Sequence, residues 1–502
     1  MLSSVIKARP AKTQANGRAT LLRKSALLLW TVLFAGAFLR LVALGHKSFW
    51  LDEIASVTIA RRPSPVFWHF LWHDEGNMAL YYVLLKPWLH LGYGEATVRL
   101  LSVVPGVLSL PLMYVLGKRL FGREAGVLAT ALLAVNACAI AVSQEARAYS
   151  FVVLAVLLST YLFVRCMEGP SYRGAIAYAL VAGVTCYFHY FGVLVPVAHG
   201  ISFLAVPPKR RSWKPLLLAW GIVALMASPI LWLMHAQDVG HISWLQPPSW
   251  LELYHLGVFL AADGGKAVGA VLLALELVLV GFFLASFNFV WRSGSSERQV
   301  MPDGNVDELL RWRYTLVASM VATPVVITLL VSSVRPAFYH RFLIICLPGW
   351  LSMVAVGALN IPRRSWRTAM LVFVIALSLV TTAIMYRRVT EDWRGAVRYL
   401  IVNTRSDDRV LYYQSVGEFA GESYRDWLQP ANLPRPAATG INLGNSGWQL
   451  AIDHPRRIWL VLYRAKADDT GAREIERELA NEYVNAGEKK FAGVRVIEYR
   501  AK

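Results

Sequence analysis

The sequence predicts a polytopic α-helical membrane protein of about eleven transmembrane helices, followed by a small extracytoplasmic α/β domain. Of the 502 residues, 56% are hydrophobic, against about 45–50% apolar in an ordinary globular chain. Apolar runs of about 20 residues, the length a bilayer requires, recur from Ser25 as far as Tyr386. The net charge of +19 is carried by short loops between those runs: Lys7 to Lys24, Lys118 to Arg123, Lys209 to Lys214 and Arg363 to Arg367. Basic residues on alternate loops form the positive-inside pattern. The charge therefore reports orientation and contact with anionic lipid, and argues against a nucleic-acid partner. Cys138, Cys166, Cys186 and Cys346 fall in or at the ends of apolar runs without a CxxC pair, so neither a disulfide framework nor a zinc site is implied.

In chain order, residues 1–24 are a basic cytoplasmic segment. The first apolar run follows it without a small-residue cleavage site and reads as a retained span. The transmembrane domain covers 25–386, with spans near 25–44, 98–117, 124–142, 149–166, 174–189, 190–206, 215–234, 267–290, 314–333, 341–359 and 368–386. Placing the basic loops inside leaves the N-terminus cytoplasmic and the C-terminus external. Residues 45–97 then form one long external loop. Within it, "PSPVFWHFLWH" and Met78 to Leu91 read as interfacial helices, the second too short and too interrupted by Lys86, Pro87 and His90 to span. Ser64 is the expected cap of the first, with Pro65 in its first turn and Phe67, Trp68, Phe70 and Trp72 at headgroup depth. Four shorter external pieces follow: "SQEARAYS", "HYFG", "HAQDVGHISWLQPPSW" and "VRPAFYHRF". Residues 387–502 form the α/β domain: "EDWRGAVRYLIVNT" and "AREIERELANEYV" read as helices, and "RVLYYQ", "IWLVLYR" and "VRVIEYR" as strands. No internal repeat points to the inverted halves of many transporters.

External loops need no charge for topology, so their charges are informative. "KSFWLDEIASVTIARR" sets Asp52 and Glu53 side by side directly after the first span. Asp52 is open to two readings, the N-cap of a short helix that stops before Pro63 or a group with chemistry to do. The same face carries His73, Asp74, Glu75 and Asn77 in "WHDEGNMALYY", then Glu145 and Arg147, then Arg335, Tyr339, His340 and Arg341. Each alone fits a solvated loop charge or an ion pair. Together they offer acids for a base or a divalent metal and arginines for a phosphate. There is no Gly-rich phosphate loop and no GxGxxG, so group transfer on this face needs a donor delivered in the membrane. Tyr82, Trp244 and Trp250 suit stacking on sugar faces or anchoring in the aromatic belt. Glu276, mid-span in "LLALELVLV", fits a functional or a structural role.

"FWLDE", "NMALYYVLLKPWLHLG", "VRLLSVVPGVLSLPLMYVLGKRLFG", "SQEARAYS", "RPAFYHRFL" and "EDWRGAVRYL", in that order, resemble the bacterial glycosyltransferase family 39. These are membrane enzymes of the GT-C fold, related to protein O-mannosyltransferases and lipid A aminoarabinose transferases. The resemblance implies inverting transfer of a sugar from a polyprenyl-phosphate donor to a lipid, glycan or protein acceptor, at the outer face of the cytoplasmic (inner) membrane. It implies that Asp52, with Glu53 beside it, activates or orients the acceptor hydroxyl. Glu145 matches an acid that helps bind a metal in some relatives, so a divalent ion is the one cofactor suggested, with His73 and Glu75 as further candidate ligands. "RPAFYHR" resembles the loop that meets the carrier phosphate, which makes Arg335, Tyr339, His340 and Arg341 candidate substrate contacts, joined by Arg147, Asn77 and Tyr82. "HDEGN" departs from the proline-rich run of many members. A transporter or flippase of lipid-linked saccharides is the alternative, and predicts polar pathway residues in several spans; Glu276 and a few histidines are all the spans offer. A non-catalytic scaffold leaves the clustered loop acids unexplained.

Overall fold

The computed structural model describes residues 11–207, 209, 211–236, 245, 247–262, 269–295, 309–430, 432–441, 455–466 and 468–502. Trp244 and most of "HAQDVGHISWLQPPSW" lie outside the described residues, as do residues 1–10. The chain opens with helix α1 (Ala11–Leu41), α2 (Leu51–Arg61), α3 (Ser64–His73), α4 (Ala79–Trp88) and α5 (Glu95–Phe121). It continues through α6 (Arg123–Val135), α7 (Ala137–Ser143), α8 (Tyr149–Glu168), α9 (Tyr172–Phe188), α10 (Leu194–Phe203), α11 (Trp213–Ala236) and α12 (Trp250–Ala262). Then come α13 (Gly269–Ser295), α14 (Leu310–Ser332), a 3-10 turn His340–Cys346 running into α15 (Leu347–Leu359), and α16 (Arg364–Arg387).

Among the described residues, 6 helices are long and apolar enough to cross a bilayer, or 7 if α6 and α7, bent by 61°, form one span. Shorter apolar stretches are Ala26–Leu41, Tyr190–Phe203, Trp250–Ala262 and Leu272–Phe287. Every stretch expected to span falls on a helix or a helix pair. Helix α12 was not expected: it lies between the external piece that ends at Trp250 and the next expected span, and it packs against α7, α13 and the 3-10 turn. At 13 residues it is too short to announce itself by length. The cap of α3 is also different: Pro63 holds the N-cap position and Ser64 is the first helical residue.

Helices α5 and α6 pack at backbone contact. A Cβ on Gly117 would lie 2.9 Å from Gly126 Cα, so only glycine permits this approach. The break between α6 and α7 frees backbone carbonyls, and at membrane depth each needs a partner. Arg40 of α1, fully buried, supplies it: Nη2 donates to Leu133 O at 3.0 Å, and Nη1 to Ala134 O at 3.3 Å. Asn136 caps α7 by accepting from Ala139 N at 2.8 Å, and donates to Leu260 O and Ala261 O of α12 at 2.9 and 3.1 Å. Glu276 of α13 is buried against α12, where a Cβ on Gly257 would be 2.5 Å from its Oε1. This contact gives Glu276 a packing position between two helices.

The C-terminal region holds α17 (Trp393–Asn403), β1 (Arg409–Tyr413), α18 (Ser415–Leu428), β2 (Ala437–Ile441), β3 (Arg457–Tyr463), α19 (Thr470–Glu482), β4 (Tyr483–Phe491) and β5 (Val494–Ala501). The strand order is β2-β1-β3-β5-β4, with β1 parallel to both neighbours and the other two pairings antiparallel. Both faces of the sheet are buried, so its central strands are continuously apolar. Val410, Tyr412, Trp459, Val461 and Tyr463 join the core that runs into the helical part, whereas Leu411, Tyr413, Ile458, Leu460 and Leu462 pack with Ile475 and Leu479 of α19. The period of two along each strand splits the residues between those faces.

Candidate active site

The acidic stretch after α1 folds as α2 because Ile54, Val57 and Ala60 return to one buried face at helical spacing. Trp50 enters in extended backbone, and Pro63 disfavours helix at the residue before it. Asp52 and Glu53 occupy the first turn, where the helix dipole favours negative charge. Adjacent helix positions point about 100° apart, and the two acids meet different surroundings.

Glu53 is buried, with its side chain 1% exposed. Arg99 of α5 grips it with two bonds, Nε to Oε1 at 2.8 Å and Nη2 to Oε2 at 2.7 Å. Ala146 N donates to Oε1 at 2.8 Å and Trp50 N to Oε2 at 3.3 Å. Both carboxylate oxygens are consumed, and the capping foreseen for Asp52 is done by Glu53. Asp52 is 37% exposed, and among the described residues its one ion-pair partner is Arg147, Nη2 to Oδ2 at 3.8 Å.

Arg147 reaches Tyr82 Oη at 3.4 Å and Ser56 Oγ at 3.5 Å. Burial opposes its charge, but Tyr82, Asp52, Tyr149 and Glu75 outweigh that and hold it above the ordinary arginine value. Tyr82 is itself buried, which pushes its phenol up and keeps it a proton donor. It supports Arg147 from behind and is not open for stacking on a sugar. Trp250 is exposed.

Beside α2 lies a cavity of about 380 Å³. Trp50, Glu53, Arg99, Glu145, Tyr339, His340 and Arg341 line it from the helical part, and Arg388, Glu391 and Arg464 from the C-terminal side; Asp52 and Arg147 lie next to this lining and are not part of it. Arg341 pairs with Glu145 and lies over the rings of Trp50 and Tyr149, 5.1 and 5.2 Å from their centroids. Tyr339 feels the charges of Arg341, Asp52 and Glu145 together. His340 sits against Phe259 of α12, with ring centroids 5.3 Å apart.

Three candidates fall elsewhere. Arg335 is exposed and does not line the cavity. Asn77 Oδ1 is occupied by Tyr190 N at 3.2 Å, tying the turn before α4 to the "HYFG" segment. His73 is exposed on α3, stacked on His69 at 4.1 Å. The suggested metal ligands do not converge: among the described residues there is no group of three His, Cys, Asp or Glu able to hold an ion, and the Glu145 carboxylate is engaged by Arg341. These residues do not fit a divalent ion. Sequence reasoning missed Arg99, Glu391 and Arg464 as site residues. The first two stand in stretches singled out above, "VRLL" and "EDWR", but burial and long-range pairing give no local signal.

Residues 80–233 match the family model described as dolichyl-phosphate-mannose-protein mannosyltransferase. No curated protein sequence matches the chain. The structure is similar to that of ArnT from Cupriavidus metallidurans bound to undecaprenyl phosphate, at 11% identity and a TM-score of 0.61, covering 94% of this chain and 97% of that one. Against the apo state of the same protein the TM-score is 0.59 at 11% identity, covering 97% and 98%. The archaeal oligosaccharyltransferase AglB from Archaeoglobus fulgidus, in complex with an inhibitory peptide and a dolichol-phosphate, gives 0.50 at 13% identity, covering 79% and 63%. The chain is a multi-pass membrane protein of the GT-C fold, and its residues 80–233 carry the sequence pattern of the dolichyl-phosphate-mannose-protein mannosyltransferases.

Proposed function

We propose that the protein is an inverting glycosyltransferase that moves a sugar from polyprenyl phosphate to a lipid, glycan or protein acceptor, at the outer face of the cytoplasmic membrane. The observation that carries this reading is the division of labour between adjacent acids. Glu53 lines the cavity but is wholly consumed by Arg99 and two backbone N–H groups, while the neighbouring Asp52, just outside the lining, keeps a partly exposed carboxylate whose one ion-pair partner among the described residues is Arg147, at 3.8 Å. The family match supports sugar transfer from a lipid-linked phosphate. The similar structures, holding undecaprenyl phosphate and dolichol-phosphate, support a carrier of the same kind.

In this reading the acceptor hydroxyl oxygen bonds to the anomeric carbon as the bond from that carbon to the phosphate oxygen breaks. Asp52 takes the hydroxyl proton, and the electron pair leaves with the carrier phosphate. The transition state has oxocarbenium character, as in glycoside hydrolysis. A positioned base contributes about 10²–10⁴-fold. Arg147 orients Asp52. Arg341 faces the charge that develops on the phosphate, and a guanidinium's five N–H donors let it serve Glu145 and a phosphate together.

The test is Asp52→Asn in a strain lacking the chain, read as the sugar composition of surface glycans. Transfer is expected to be lost, with undecaprenyl phosphate binding and thermal stability of the purified variant near wild type. Asparagine caps a helix almost as well as aspartate, so normal transfer in this variant returns Asp52 to a structural role.

A further inference from the structure

Residues 44–51, which lead into Asp52, have their backbone polar groups satisfied from two sides. Arg99 of α5 donates Nη1 to Leu44 O and Lys47 O, both at 2.9 Å, and Nη2 to Ser48 O at 3.0 Å. The C-terminal region supplies further partners. Arg394 donates to Gly45 O and His46 O at 3.3 and 2.6 Å, and Tyr424 Oη accepts from Phe49 N at 2.7 Å. Glu391 Oε2 accepts from Leu51 N at 3.1 Å.

Leu51 is the first residue of α2, so its N–H is one of the donors a helix cannot satisfy itself. Glu391 meets it from outside, with a negative charge placed where the helix dipole favours one. The carboxylate side chain is fully buried and takes three other donors: Trp393 Nε1 at 3.1 Å, Tyr463 Oη at 2.9 Å and the Arg464 guanidinium. Arg464 holds φ 50, a left-handed conformation uncommon outside glycine. Such a residue persists where its surroundings over-determine it; here its N–H donates to Gly493 O at 2.9 Å while its side chain is fixed on Glu391.

We infer that Glu391 is a positioning residue of the active site: it caps α2 from the C-terminal region and thereby fixes Asp52 beside the cavity. That Asp52 is the reacting group rests on the function proposed above, whereas the clamp on α2 stands on the hydrogen bonds alone. The C-terminal region is thus a working part of the site.

Two variants act on the same bond from opposite ends. Glu391→Gln keeps the shape but removes the charge, so in either amide orientation the Leu51 N–H loses its charged acceptor. Leu51→Pro removes the N–H at the first helical position, where proline is well tolerated. Trp50, at φ −93 and ψ 171, already has the backbone a residue before proline needs. The measurement is hydrogen exchange on the full chain in lipid nanodiscs. Loss of a hydrogen bond to a charged acceptor is expected to speed exchange in residues 48–56 by about ten- to hundred-fold, with β3 and β5 as protected as in wild type. The double variant is expected to speed exchange by less than the product of the single effects, because both act on the Leu51–Glu391 bond. Transfer is expected to fall at least about tenfold, with undecaprenyl phosphate binding retained. Unchanged exchange in 48–56 overturns the clamp. Equal loss of protection in β3 and β5 reduces Glu391 to a folding role. Wild-type transfer in either variant overturns its positioning role. Absence of transfer in the wild type counts against the proposed function instead, and exchange then decides the clamp.

Discussion

Arg335 and Arg341 belong to one short stretch of sequence, yet one is exposed and the other lines the cavity beneath Trp50. A charge-assisted arginine–phosphate contact is worth about 1.5–3 kcal/mol, so Arg341→Ala should weaken undecaprenyl phosphate binding by one to two decades. Arg341→Lys should also bind poorly, since an ammonium cannot reproduce the planar fork. An exposed arginine near headgroups adds only about 1 kcal/mol of general membrane attraction, so Arg335→Ala should bind the carrier within a few-fold of wild type. Wild-type affinity in Arg341→Ala, measured by titration on purified protein, removes Arg341 from the donor site. The two acids of α2 separate in the same manner. Glu53→Gln breaks a buried ion pair and should cost about 3–5 kcal/mol, seen as a marked drop in thermal stability, while Asp52→Asn should leave stability nearly unchanged. Residue type and spacing made both acids and both arginines legible as candidates. Their division could not be read, because Arg99, Ala146 and Glu391 reach α2 from distant parts of the chain.

At the scale of single elements, strands and helices were legible where their apolar pattern was strong. β1, β3 and β5 are rich in Val, Leu, Ile and Tyr, and α19 repeats Ala472, Ile475 and Leu479 on one face. β4 is an edge strand, exposed along most of its length and carrying Glu488, Lys489 and Lys490, so no alternation marked it. α18 contains Gly417 and Gly421, poor helix formers, and owes its helix to packing. The start of α19 yields a prediction. Asp469 accepts from Gly471 N at 3.1 Å, Ala472 N at 3.0 Å and Tyr413 Oη at 2.8 Å. Those bonds, Ala472 N first, hold its carboxyl below the usual aspartate range. A depressed value in the folded state means the stabilisation is present above the unfolded aspartate value of about 3.9, and is lost as pH falls through the folded value. Asp469→Ala should therefore destabilise the region by about 0.5–2 kcal/mol at neutral pH. The gap to wild type should narrow in melts as pH falls below the unfolded aspartate value, and close once pH is below the depressed folded value. A gap that is constant with pH means the cap acts without its charge.

At the scale of the whole molecule, orientation follows from where charge collects. Glu168 of α8 receives Arg119 from the end of α5 at 2.5 Å and Arg313 from the start of α14 at 3.2 Å, which brings three basic-loop segments to one end of the bundle. Glu145, Arg341 and Glu391 line the cavity, with Asp52 next to the lining residue Glu53, and α5, α8 and α14 lead from it to those basic loops. The apolar helices were legible because a bilayer enforces span length on the sequence itself, and the basic loops carry the orientation expected from the positive-inside bias. The placing of the C-terminal region over α2 was not legible, because it depends on single hydrogen bonds between segments far apart in the chain. Each basic residue near an anionic leaflet contributes about 1 kcal/mol, so we propose that the end holding Lys118, Arg119, Arg123, Arg165 and Arg173 faces the cytoplasm. On that proposal Glu391 and the sheet lie outside, where the proposed lipid-linked donor presents its sugar. A reporter active only in the cytoplasm should be active when fused within residues 207–214 and silent when fused after Arg388; a reporter active only outside should give the opposite pair. If both sites report the same side, the threading fails, and the cavity between α2 and the C-terminal region can no longer face an outer-leaflet donor.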